Sequence, residues 1–156
     1  MARALIVGCG CSGRWLGGAL QDAGWVVRGT SRTATGAEEI EGAGIEAAVA
    51  DPDRIATVLD AIEGVSLIFW LFGTVATPAL HGPRLERLLE EIVDTPVRAL
   101  VYELNAELEP DAARGAFEAL RSANERWRIP FEVVAAERGT DSWLEGMLAS
   151  ARELVG

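Results

Sequence analysis

Residues 3–16 read Arg3-Ala4-Leu5-Ile6-Val7-Gly8-Cys9-Gly10-Cys11-Ser12-Gly13-Arg14-Trp15-Leu16. A short apolar run stops at a glycine, and two more glycines follow within five residues. Apolar residues then recur at helical spacing through Trp15, Leu16, Ala19, Leu20 and Ala23. The pattern is strand, tight turn, helix, and Gly8, Gly10 and Gly13 fill the spacing G-x-G-x-x-G. Each glycine has its own physical reason. Gly8 permits the turn, Gly10 lets backbone approach a diphosphate, and Gly13 lets the helix pack close to the strand. The first turn of that helix, with Cys11, Ser12 and Gly13, presents amide N–H groups and a partial positive charge to an anion. Ser12 adds a hydroxyl and Arg14 a cation. The competing reading is a glycine turn that binds nothing.

Working outward, strand-like and helix-like segments alternate to the end of the chain. The first strand, residues 3–7, and the first helix, 12–23, are followed by a strand at 25–29, a short helix at 36–43 and a strand at 45–50. Asp51-Pro52 reads as an N-cap with proline at the first helical position, opening a helix whose inner face is Ile55, Val58, Leu59 and Ile62. Residues 65–72 form an apolar run interrupted only by Ser66, as in a parallel strand buried on both faces. A helix at 83–93 presents Leu85, Leu88, Leu89 and Ile92 on one side. A strand at 97–104 leads to the longest helix, 110–128, with Ala113, Phe117, Leu120, Asn124 and Trp127 along one stripe. A sixth strand is expected at 130–135, and Ser142-Trp143-Leu144-Glu145 resembles a capping box opening a last helix to about Leu154. Right-handed crossovers between such elements predict an α/β fold: a doubly wound parallel sheet of Rossmann type, order 3-2-1-4-5-6, with helices on both faces. Residues 1–156 are used up by this one sheet, so a single domain without a separate substrate domain is expected.

Composition narrows the chemistry. Of the 156 residues 49% are hydrophobic, enough for one core without disulfide staples. The net charge of −10 argues against nucleic acid or anionic membrane as partner. No apolar run is long enough to cross a bilayer. The two cysteines, Cys9 and Cys11, are too close to bridge without strain, and a reducing, cytoplasmic setting is expected. All 14 basic residues are arginine. The absence of lysine excludes Schiff-base chemistry and the Walker A lysine.

The end of the second strand distinguishes dinucleotides. NAD binders carry a carboxylate there for the ribose hydroxyl. Here the segment is Arg28-Gly29-Thr30-Ser31-Arg32-Thr33, with no carboxylate before Glu38. Arg32 would pair with a 2′-phosphate while Ser31 and Thr33 donate hydrogen bonds, which favours NADP(H) over NAD(H). The alternative is that Arg32 is a solvated loop residue. Asp51 has two compatible readings, the helix cap and a hydrogen bond to adenine. Leu71, Phe72 and Gly73 end the fourth strand and would border the crevice under the cofactor.

Together the Gly8–Gly13 turn with Arg14, the Thr30-Ser31-Arg32 segment, the Ala50-Asp51-Pro52 junction and residues 67–73 resemble the short-chain dehydrogenase/reductase superfamily, in particular its atypical and extended members. The resemblance spans almost the whole chain and implies NADP(H) binding. It also implies a Tyr-x-x-x-Lys proton relay, and here the chain departs from the family. Tyr102 is the one tyrosine, Ala106 stands four residues on, and there is no lysine. Glu103, Leu104 and Asn105 stand where the family places its serine. Remaining acid–base candidates are His81, read as a loop residue near the reactive end of the cofactor, Tyr102 and Glu103. The bland readings are a surface histidine, a core tyrosine and a solvated glutamate. Cys9 and Cys11 read as small residues that fit the turn, and no metal site can be assembled. Three functions remain open: an oxidoreductase or epimerase-like enzyme with an unknown small-molecule substrate, a dinucleotide-sensing module, and a fold that has lost its ligand. A homodimer through Trp127 and the Leu85–Ile92 face is a further expectation.

Overall fold

The computed structural model describes residues 2–72, 78–104 and 107–155. Six strands form one sheet: β1 (Arg3–Val7), β2 (Val26–Ser31), β3 (Glu46–Val49), β4 (Leu67–Trp70), β5 (Ala99–Glu103) and β6 (Phe131–Val134). Their order is β3-β2-β1-β4-β5-β6 and every pairing is parallel, as the sequence predicted. The helices are α1 (Cys11–Asp22), α2 (Ala34–Gly42), α3 (Ile55–Asp60), α4 (Pro78–His81), α5 (Pro83–Ile92), α6 (Pro110–Trp127) and α7 (Asp141–Val155).

Strand alternation divides the core in two. Leu5, Val7, Ile68, Trp70, Leu100 and Tyr102 face α3 to α6. Ala4, Ile6, Leu67, Phe69, Ala99 and Val101 face α1, α2 and α7. Every residue of β4 and β5 is buried, which is why β4 reads as an unbroken apolar run and β5 as one closed by Glu103. Because every strand is parallel, the loops that follow the strands gather at the carboxyl edge of the sheet, beside the paired ends of β1 and β4.

Several local expectations are corrected. Helix α3 starts at Ile55, not at Asp51-Pro52. Asp51 Oδ1 instead accepts the Asp53 N–H at 2.9 Å, closing a side-chain turn that competes with helix initiation. Thr140, not Ser142, caps α7, its hydroxyl oxygen accepting the Trp143 N–H at 3.2 Å. The stripe of α6 is rotated: Ala116, Ala119, Leu120 and Ala123 are buried, whereas Phe117 and Trp127 stand largely outside. The line of alanines lets α6 approach α4 and α5 closely, which a Phe–Trp stripe would prevent. Residues 78–81 form a helical turn rather than loop, pinned by the Trp70 indole N–H donating to the Leu80 carbonyl at 2.8 Å. Leu85, Leu88, Leu89 and Ile92 are at most 1% exposed, so that face is taken up by the core; of the surface expected for a homodimer only Trp127 remains outside.

Candidate functional site

The glycine turn follows β1 as the spacing demands. Gly8 has φ +84°, and a Cβ there would lie 2.6 Å from the Leu71 carbonyl oxygen and 2.9 Å from the Phe72 ring. Both the backbone angle and the close approach of the β4 end therefore require glycine. A Cβ on Gly13 would lie 3.1 Å from Cys9 Sγ and 3.4 Å from Ile6, so its absence seats α1 against the turn. Around Gly10 there is nothing within 4 Å of such a Cβ, and the space above it is open. Gly10 is also the N-cap of α1 and brings no side chain to cap it. The Gly10 carbonyl accepts the Arg14 N–H at 2.8 Å, so the amides of Cys11, Ser12 and Gly13 precede the first intrahelical donor.

The turn is braced by β2: the Cys9 N–H donates to the Thr30 carbonyl at 2.9 Å, and the Gly8 N–H to the Thr30 hydroxyl at 3.4 Å. Burial pushes the Cys9 thiol up to about 12 despite the opposing charge of Arg14, so this cysteine is a neutral packing group. Cys11 is exposed on the first turn of α1.

A cleft of about 410 Å³ opens over the turn. Gly8, Cys9, Gly10 and Arg14 form its middle, with Thr30, Ser31, Arg32, Gly36 and Glu39 at one end and Leu71, Phe72 and Arg138 at the other. The sequence-predicted Gly8, Gly10, Arg14, Ser31, Arg32, Leu71 and Phe72 are thus brought to one cavity. Gly73 lies outside the described residues.

At the β2 end, charges meet in exposed pairs. Arg32 Nε is 3.7 Å from Asp51 Oδ1, and Arg14 Nη1 is 3.5 Å from Glu39 Oε2. Ser31 Oγ accepts the Thr33 N–H at 3.3 Å, and a Cβ on Gly36 would come within 1.9 Å of it. Thr33 is the N-cap of α2, its oxygen accepting the Gly36 N–H at 3.0 Å. Asp51, expected at an adenine or a helix start, is held by Arg32 and its own turn.

At the opposite end the polar groups are buried. Glu103 is 2% exposed. Its Oε2 accepts Arg138 Nε at 3.0 Å and the Trp143 indole N–H at 2.8 Å, while its Oε1 accepts Arg138 Nη2. The same Nη2 donates to the Leu71 carbonyl at 3.3 Å. His81 and Tyr102 are fully buried, with His81 Nδ1 2.5 Å from the Tyr102 hydroxyl. Burial, then the charge of Glu103, raises the Tyr102 pKa, so the phenol holds its proton. His81 is therefore an interior residue, not the surface one expected, and Glu103 is no solvated glutamate.

Arg138 and Trp143 were missed as site residues. The signal was present: Glu103 ends an apolar strand and needs a cation, and Arg138 follows the last strand at the same edge. Among the described residues, no group of three or more His, Cys, Asp or Glu side chains converges as a metal would require, and no helix is long and apolar enough to cross a membrane.

By sequence, the chain matches no family model and no curated protein. By structure, it is similar to a short-chain dehydrogenase/reductase superfamily protein from Agrobacterium tumefaciens with bound NAD, at 20% identity and TM-score 0.66, covering 84% of this chain and 48% of that one. It is also similar to UDP-glucose 4-epimerase from Thermus thermophilus in complex with NAD (17% identity, TM-score 0.64, 84% and 53% covered). Vestitone reductase from alfalfa aligns at 18% identity and TM-score 0.62, covering 85% and 56%. The chain spans about half the length of these proteins. At such identities the likeness is one of architecture: the chain has the Rossmann fold that these short-chain-dehydrogenase-like reductases and epimerases share.

Proposed function

We propose that this chain binds a nicotinamide dinucleotide across the cleft, NADP(H) in preference to NAD(H). The observation that carries the reading is the open space over Gly10 beside the uncapped mouth of α1, where amide N–H groups and the helix dipole favour a diphosphate. The cleft volume lies within the range of about 300–1,000 Å³ usual for small-molecule sites. Arg32 supports the choice of NADP(H). Its pair with Asp51 is solvent-exposed and worth little, so a 2′-phosphate, with more charge and better geometry, would displace the carboxylate. The free thiols of Cys9 and Cys11 suit a reducing cytoplasm.

Two roles remain for a bound dinucleotide, an oxidoreductase and a binding module that senses it. The burial of His81, Tyr102 and Glu103 in pairs favours the module, because a proton donor must reach the reacting atom. The cofactor would bring hydride chemistry; this chain's residues would bind and orient it.

Thermal melting with NADPH, NADP⁺, NADH and NAD⁺ tests the reading. A ligand selective for the native state at about one hundred times its Kd stabilises by about 2.7 kcal/mol, so a clear rise in Tm is expected with NADPH. Arg32→Ala should weaken NADP(H) and leave NAD(H) nearly unchanged. No rise with any millimolar dinucleotide overturns the binding; equal loss for both kinds overturns the role of Arg32.

A further inference from the structure

We propose that Arg138 is a positioning residue for the nicotinamide half of the dinucleotide, acting through the Leu71 carbonyl. The inference rests on the dinucleotide reading above and goes beyond it, because it assigns the far end of the cleft.

Arg138 follows β6, yet its guanidinium reaches the ends of β4 and β5. It holds Glu103 through Nε and Nη2 and the Leu71 carbonyl through Nη2. One rigid, planar fork therefore ties together three strand ends at the edge where Rossmann folds take their ligands. The Leu71 carbonyl is the very atom for which Gly8 leaves room, 2.6 Å from where its Cβ would stand. The gap between the glycine turn and the β4 end is thus set by an atom that Arg138 holds in place.

The support behind Arg138 is stiff. Glu103 is buried, and the fully buried Trp143 donates to it from α7. Trp143 in turn stacks on Trp15 of α1, with ring centroids 6.1 Å apart and planes 11° from parallel. Arg138 itself lines the cleft beside Leu71 and Phe72, opposite the end that holds Arg32. Its charge is matched by Glu103 at bonding distance, so this end of the cleft suits an uncharged ring rather than a phosphate. A dinucleotide with its pyrophosphate on α1 and its adenosine toward Ser31 and Arg32 would lay its nicotinamide riboside here.

A comparison of whole and half ligand tests the inference by calorimetry. NADPH spans both ends of the cleft, whereas adenosine 2′,5′-bisphosphate reaches only the β2 end. For Arg138→Gln, the Kd for NADPH should rise about tenfold, as expected when a charge-assisted contact is lost. The bisphosphate should bind within about twofold of the parent, because its contacts are remote from the change. Arg138→Lys, which keeps a charge but cannot hold Glu103 and Leu71 together, should fall between for NADPH and leave the bisphosphate unchanged. A merely structural role would move both ligands alike. Equal weakening of the two, or no change in either, overturns the positioning role. If Arg138→Gln does not fold, the same two-ligand comparison on Arg138→Lys decides. Failure of the parent chain to bind either ligand overturns the dinucleotide reading itself and this inference with it, a result distinct from selective or non-selective loss in the variants.

Discussion

The two ends of the cleft handle charge in opposite ways. Toward β2, Arg14 with Glu39 and Arg32 with Asp51 meet at 3.5 and 3.7 Å, and three of the four side chains are at least 38% exposed. Toward β5, Glu103 and Arg138 meet at bonding distance with only 3% and 22% of their side chains exposed. Water screens the first kind of pair, so it contributes little and is easily exchanged for another anion. The second kind has lost its water, so each partner depends on the other. One end of the cleft is built to be exchanged and the other to stay fixed, which fits a ligand that docks by charge at one end and by shape at the other.

The sharpest way to break this comparison is Glu103→Ala. It would strand the Arg138 charge and the Trp143 indole N–H, and a loss of about 3–5 kcal/mol in urea unfolding is expected. A loss below about 1 kcal/mol would show that the two ends are alike. Gly8→Ala tests the seam between them. The positive φ and the 2.6 Å approach to Leu71 should cost about 1–3 kcal/mol and abolish dinucleotide binding. Arg32→Ala sets the lower bound: its stability should stay within about 0.5 kcal/mol of the parent, even though NADP(H) affinity falls.

The comparison also explains what could be read from the sequence. The order of strands was legible because largely apolar strands alternate with amphipathic helices, and the glycine turn because Gly8 and Gly13 have separate steric duties. Helix starts were less legible. Asp51 and Ser142 look like caps, yet Asp51 closes its own turn and Thr140 caps α7 instead, since several short polar side chains compete for the same few amides. The face of α6 was misjudged because large apolar residues attract attention while alanines make the closest contact. The candidate residues at the β2 end were read from one segment, Ser31-Arg32-Thr33, of which Ser31 and Arg32 line the cleft. At the other end Glu103, Leu71 and Phe72 were named from the sequence but Arg138 was not, because it stands 35 residues from the Glu103 that it holds.

The two cysteines, one residue apart, differ in what a reagent can reach. Cys9 is walled in between Gly13 and Gly29, where added Cβ atoms would approach its sulfur to 3.1 and 2.8 Å, while Cys11 looks outward. A thiol-reactive dye should therefore label the native chain once and the unfolded chain twice, with the second site appearing only as fast as the turn opens. The slow label would time the loosening of the glycine turn directly, and a dinucleotide seated on that turn should slow it further.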